Sequence, residues 1–268
     1  MLHVVIVFCS LRSGIVRRLR AAGCVFAEDE VAVLLAATST PGELVAAVDQ
    51  RVAGQPLEHI LGWASFSGLR VTVTRGVFVP RRRTEFLVEQ AIAVAPPSAC
   101  VVDLCCGSGA VAVAVASAAD VATLYAVDID PVAVACARDN VGRFDGQVLV
   151  SDLYDPLPPA LRGRVDVLVA NAPYVPTDDI RFLPPEAREH EPSRALDGGA
   201  DGLAVQRRIA AEAGAWLAPG GHLLIEASHH QASMTSEAVA GSGLISSVVR
   251  SDELDATVVL GARPSGRG

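Results

Sequence analysis

The chain has 268 residues, 51% apolar and 19% charged, enough for one large domain with a sizeable core and a small accessory one. Thirty acidic residues against 22 basic ones give a formal net charge of −8, which argues against a partner held mainly through phosphates, so no direct nucleic-acid contact is expected. Every basic residue is arginine, and the absence of lysine excludes a lysine Schiff base or a phosphate-loop lysine.

In chain order, Leu2 to Cys9 is apolar but too short to span a bilayer and lacks a basic lead, so it reads as a mis-assigned start or a short disordered lead, with no membrane attachment. Helical spacing of apolar residues then predicts helices over Gly14–Ala22, Asp29–Ala37 and Pro41–Val52, with Asp or Thr near the last two starts as caps. Residues 1–54 form a helical N-terminal domain in this reading. Residues 55–80, with Gly62, Gly68 and Gly76 around the alternating Arg70-Val71-Thr72-Val73-Thr74, form a hairpin linker, and 81–268 form the main domain. Six cysteines without metal-like pairing point to a reducing, cytoplasmic compartment.

From Ala99 onward strands and helices alternate. Cys100–Leu104, Thr123–Val127, Gln147–Val150, Val165–Ala170 and His222–Glu226 read as strands. Helices are expected over Gly109–Ala119, from Asp130-Pro131 to about Asn140, and over Asp201–Leu217, the last followed by a Pro219-Gly220-Gly221 turn. A strand pair, Ile245–Ser251 and Thr257–Gly261, closes the chain. The alternation predicts an α/β fold with a parallel, doubly wound sheet.

Ligands of such sheets bind beyond the carboxyl ends of the strands. Asp103, Cys105, Cys106, Gly107, Ser108 and Gly109 form a turn between the first strand and its helix, where glycines let backbone approach a ligand closely. Asp128 ends the next strand, placed for two ribose hydroxyls, and Asp152 and Leu153 follow the third, placed for an adenine edge and face. The glycine spacing with Asp128 also matches a dinucleotide fingerprint. Two features favour S-adenosylmethionine over NAD. Asp103 could meet an ammonium group where pyrophosphate would be repelled, and Asn171-Ala172-Pro173-Tyr174 ends the fourth strand, where a methyl acceptor belongs. That turn offers a side-chain carbonyl, backbone carbonyls and an aromatic face, suited to gripping a planar –NH2 group. A purely structural Asn-Pro turn is the plainer alternative, disfavoured by its position on the ligand side of a buried strand.

The chain resembles the protein-(glutamine-N5) methyltransferases of the HemK/PrmC type from about Gln55 onward. The resemblance rests on Gln55-Pro56-Leu57-Glu58-His59-Ile60-Leu61-Gly62, Val79-Pro80-Arg81 with Thr84-Glu85, and Glu191-Pro192 with Ala195-Leu196-Asp197-Gly198-Gly199 and Asp201-Gly202-Leu203. It implies a class I, Rossmann-like methyltransferase domain and an N-terminal domain that docks substrate. It also implies S-adenosylmethionine as cofactor, S-adenosylhomocysteine as product, and the Gly-Gly-Gln glutamine of a peptide chain release factor as acceptor. The glycine turn, Asp128, Asp152, Leu153 and Asn171 would contact the cofactor. Asn171, Ala172, Pro173 and Tyr174 would hold the substrate, with Asn171, Ala172 and Tyr174 catalytic.

Three departures stand out. Ala172 replaces the usual first proline of Asn-Pro-Pro-Tyr, still supplies a backbone carbonyl, and should lose about 0.4–1 kcal/mol of pre-organisation, weakening activity without abolishing it. Cys105 stands at the usual first glycine of the cofactor turn, tolerable there only with a negative φ. Arg82-Arg83 replaces a proline-acidic pair, which bears on partner recognition.

In this reading the Asn171 carbonyl and the Ala172 backbone carbonyl accept the two N–H bonds of the glutamine amide and Tyr174 packs on its plane, while the proton acceptor is not identifiable. No metal is needed, and His190 and His229-His230 lack partners at ligand spacing. The alternatives are another protein glutamine, adenine N6, a silent paralogue that only binds S-adenosylmethionine, and, last, a nicotinamide dehydrogenase.

Overall fold

The computed structural model describes residues 2–265. It opens with helices α1 (Leu2–Ala21), α2 (Ala27–Ala37), α3 (Pro41–Val52) and the short α4 (Leu57–Leu61). The first helix begins well before Gly14, and the backbone of the expected disordered lead is helical. Ile15, Leu19, Val31, Leu34, Leu44 and Val48 close a core of their own, apart from that of the main sheet. Thr40 caps α3 in a reciprocal box with Glu43, as its position predicts. Asp29 does not cap α2. That helix starts at Ala27, which leaves Asp29 in its first turn, where its charge meets the helix dipole.

Hairpin strands β1 (Trp63–Phe66) and β2 (Leu69–Thr72) follow. The main sheet is then built from α5 (Glu85–Val94), β3 (Ala99–Leu104), α6 (Ala110–Ala118), β4 (Val121–Asp128), α7 (Pro131–Val141) and β5 (Gln147–Val150), then β6 (Val165–Ala170), α8 (Pro185–His190), α9 (Ala204–Trp216), β7 (Leu217–Ala227), α10 (Ala232–Gly241), β8 (Ile245–Ser251) and β9 (Ala256–Ala262). Strand order is β5-β4-β3-β6-β7-β9-β8. Five strands are parallel, whereas β9 runs antiparallel to both neighbours, so the sheet is mixed and not wholly parallel. The cause is the tight turn between β8 and β9, too short for the crossover that parallel neighbours require.

One sheet face buries Leu87, Val113 and Val134 of α5, α6 and α7. The other buries Ile209, Trp216 and Val239 of α9 and α10. Two expected boundaries move. Pro219-Gly220-Gly221 is a bulge inside β7: β6 advances from Val165 to Val167 while its partner advances from Leu217 to His222. Helix α9 starts at Ala204, because the Asp201 carboxylate takes the Leu203 N–H at 3.1 Å and the Arg207 guanidinium at 2.5 Å. Asp130 caps α7 by accepting the Val132 N–H, as expected. Among the described residues no helix is long and apolar enough to cross a membrane.

Replacing Thr40 with Ala removes the cap oxygen from α3 and should lower stability by about 1 kcal/mol in urea unfolding.

Candidate active site

Strand order reverses at β3, which pairs with β4 on one side and β6 on the other. A cavity of about 1020 Å³ opens there, beyond the carboxyl ends of the strands. Asp103, Cys105, Cys106, Gly107, Ser108, Asp128, Asp152 and Leu153 line it together with the whole of Asn171-Ala172-Pro173-Tyr174. Of the residues singled out from sequence only Gly109 is missing from the wall. It caps α6 with φ +75, and an added Cβ would lie 2.7 Å from the Val141 side chain, so its role is helix packing.

The glycine turn is held from behind. The Asp128 carboxylate accepts the Gly107 N–H at 2.8 Å through one oxygen and the Asp130 N–H at 2.8 Å through the other. Asn140, almost fully buried, donates to the carbonyls of Ser108 and Thr72, clamping the turn to the hairpin through α7. Asp103 is buried at the cavity floor and accepts the Ala112 N–H at 3.1 Å. Burial pushes its carboxyl up from 3.8 to about 8 despite that hydrogen bond, with the nearby Asp128 charge adding to the rise. A cation arriving beside such a carboxyl favours its ionised form.

Cys105 corrects an expectation. Its φ is +58, in the left-handed region, where a side chain is strained. Leu153, on the same wall, has φ +49. Both residues sit at strand ends where the chain must swing away from the ligand space, and this turn keeps its shape without a glycine at the first position. Asp152 forms an ion pair with Arg208 of α9 at 2.8 Å. Its carboxylate thus has a cationic partner that its position in the sequence did not reveal.

The Asn171–Tyr174 loop is also fixed on several sides. Asn171 Nδ2 donates to Thr84 Oγ1 at 3.3 Å, which leaves Oδ1 as the amide's acceptor. The Tyr174 carbonyl accepts from Gln231 Nε2 at 2.9 Å. Burial, and then the negative charge of Glu226, push the Tyr174 phenol up to about 12. The segment from Glu191 to Leu203 braces this loop. Glu191 takes Arg81 at 2.6 Å and the Val79 N–H, while Val175 exchanges backbone hydrogen bonds with Leu196 and Gly198. A side chain at Gly202, φ +77, would collide with the Tyr174 carbonyl and Gln231. Thr84, Arg83 and Phe78 also line the cavity. From sequence, Thr84 falls in the family motif and Arg83 in the segment that bears on partner recognition. None of the three is placed in the site wall by sequence, because that place depends on packing between distant segments.

Residues 69–182 match the family model described as the methyltransferase small domain. The chain is 41% identical over 213 residues to the release factor glutamine methyltransferase of Mycolicibacterium smegmatis, covering 79% of this chain and 74% of that one. The chain belongs to the release factor glutamine methyltransferase family. It is 42% identical over 191 residues to the Geobacter sulfurreducens relative, covering 69% of this chain and 66% of that protein's length. Among solved structures, a methyltransferase from Pyrococcus furiosus shares the fold with a TM-score of 0.57 at 14% identity, covering 74% of this chain and 90% of that one. The ribosomal protein L11 methylase of Lactobacillus delbrueckii subsp. bulgaricus does so with 0.52 at 16%, covering 72% and 84%. The fold is thus the Rossmann-like methyltransferase fold, and the cofactor is S-adenosylmethionine. The cavity suits it, pairing a floor carboxyl able to meet an ammonium with a glycine turn and an acidic strand end.

Two measurements follow. Cys105→Gly relieves the left-handed strain and should raise stability by about 0.5–1 kcal/mol net of glycine's chain entropy, read from the urea midpoint. Asp103 has a folded pKa far above its unfolded value, so its contribution to stability is complete below about 3.8 and is lost as pH rises towards about 8. Asp103→Asn should therefore gain on the parent in unfolding experiments as pH rises through that window, while binding S-adenosylmethionine more weakly in calorimetric titration.

Proposed function

We propose that this chain methylates the side-chain amide nitrogen of a glutamine in a peptide chain release factor. The observation that carries this reading is the Asn171 amide, held at the end of β6 with Nδ2 on Thr84 and its carbonyl left to accept, on the wall of a cavity floored by Asp103.

A glutamine nitrogen is a poor nucleophile, because its lone pair is delocalised into the carbonyl. Bound S-adenosylmethionine supplies an electrophilic sulfonium methyl. The protein's task is then alignment, holding nitrogen within about 3–3.5 Å of the reacting carbon. Asn171 Oδ1 and the Ala172 backbone carbonyl accept the two amide N–H bonds, directing the nitrogen's electrons along one line. Those same acceptors grip more strongly as positive charge grows on nitrogen, which favours the transition state over the ground state. Pro173 keeps Ala172 extended, and Tyr174 covers the amide plane. Asp103, the Gly107 turn, Asp128, Asp152 and Leu153 hold the cofactor in this reading.

Residues 1–54 act as the docking domain for the release factor. Arg51 of α3 supports that role, because it bridges Glu30 at 2.7 Å to Glu186 of α8 at 3.0 Å, and Glu186 lines the cavity. A partner seated on the helical segment would lie close to the cavity mouth.

The test is transfer of labelled methyl to an unmodified release factor, beside one whose Gly-Gly-Gln glutamine is replaced. Label on the first alone is the expected result, and Asn171→Ala should lower kcat by about 100-fold. Cofactor binding with no label on either protein would shift the reading to another acceptor or a silent paralogue.

A further inference from the structure

Thr84, Asn171 and Tyr174 come from separate segments and line one wall of the cavity, and Glu226 lies buried beside them. Ala170 pairs with Ile225, so Asn171 and Glu226 are the next residues along two adjacent strands. Glu226 is 2% exposed, and its Oε2 is buried with no hydrogen-bond partner. Among the described residues no other carboxylate oxygen is left in that condition. Arg83 Nε stands 3.8 Å from Oε1, a loose contact from a half-exposed side chain. A carboxylate retained for an ion pair would be expected to close on its partner, so a stabilising salt bridge accounts poorly for this arrangement.

Hydrogen-bond polarity accounts for it better. An ionised carboxylate can only accept. The hydroxyls of Thr84 and Tyr174 lie beside the Glu226 carboxylate and hold its pKa down as donors do, though neither closes a full hydrogen bond onto it, so an ionised Glu226 draws both protons towards it. The lone pairs of Thr84 Oγ1 are then free for Asn171 Nδ2, 3.3 Å away. We infer that Glu226 is a positioning residue which, through Thr84, fixes the Asn171 amide with its carbonyl end facing the substrate and, through the Tyr174 hydroxyl, fixes the ring beside it. Were Glu226 neutral, Thr84 could donate to the Asn171 carbonyl instead. The amide would then present its own N–H bonds to the N–H bonds of the substrate, and the grip would be lost. The inference rests on Asn171 being the group that accepts the acceptor's N–H.

Burial raises the Glu226 pKa above the ordinary carboxylate value, while the Thr84 and Tyr174 hydroxyls and the charges of Arg83 and Arg81 hold it down. The working form is the ionised one, so kcat should fall as pH drops through that raised value.

The experiment measures kcat, KM and the pH profile of kcat on a release factor for Glu226→Gln, Thr84→Val, Thr84→Ser and the Glu226→Gln/Thr84→Val double variant, with thermal unfolding and S-adenosylmethionine titration as controls. Glu226→Gln is expected to fold, to bind cofactor, to lose about 100-fold in kcat with KM little changed, and to lose the acid limb of the parent's profile. Thr84→Val should lose about as much, the double variant should lose no more than either single one, and Thr84→Ser should keep most of the activity. Parental kcat in Glu226→Gln overturns the inference, as does an unchanged acid limb or full additivity in the double variant. Should Glu226→Gln fail to fold, Thr84→Val beside Thr84→Ser carries the test, and parental kcat in Thr84→Val overturns the inference. A parent that turns over no release factor overturns instead the reading of the reaction, before any variant is compared.

Discussion

The site depends on one constraint, the register of the parallel strands. Leu104 pairs with Val127 on one side and Ala170 on the other, and Ala170 pairs with Ile225. One step further along the chain, Asp128, Cys105, Asn171 and Glu226 stand in a single row across the end of the sheet, with neighbouring strands about 4.8 Å apart. The glycine turn, the acidic strand end, the Asn171 loop and the buried glutamate are adjacent because backbone hydrogen bonds set that row. A one-residue slip in β6 would move Asn171 out of the row and turn its side chain to the other face of the sheet.

Around that row the protein places polar groups where an apolar sheet disfavours them. Asn140, Gln206 and Thr235 are buried but paired: Thr235 donates to Gln206 Oε1 at 2.7 Å, and Gln206 donates to the Glu226 carbonyl at 3.2 Å. That network holds the end of β7 from behind. Asp103 and Glu226 are buried with less compensation, and both face the ligand space or the residues that line it. Strain gathers in the same place, at Cys105 and Leu153. Such features persist only where the surrounding structure over-determines them, and here the clamped loops on both sides of the cavity do so.

The braces come from segments far apart in the chain. Glu191 reaches back to Arg81 and Val79, and Gln231 reaches the Tyr174 carbonyl. The Glu191–Leu203 segment therefore holds the Asn171–Tyr174 loop to one shape. Gly202 belongs to that function, as its backbone packs directly on the loop.

Much of this was legible in the sequence, because it depends on local pattern. Strand and helix alternation, the Asp130 and Thr40 caps, the strand-ending Asp128 and the Asn171 turn are short-range features whose signal lies within a few residues. The Cys105 backbone, the antiparallel β9, the bulge at Pro219-Gly220-Gly221 and the Asp152–Arg208 pair were not legible, because each depends on what packs or pairs against it. Thr84, Arg83 and Glu226 show the limit most clearly. Each is ordinary in its own segment, and only strand register and the seating of α5 on the sheet bring a hydroxyl, an amide and a carboxylate together. The sequence by itself determined the elements and the chemical groups on offer. Tertiary structure decided which groups meet, because contacts between residues 87 and 143 positions apart are settled by packing and not by local propensity.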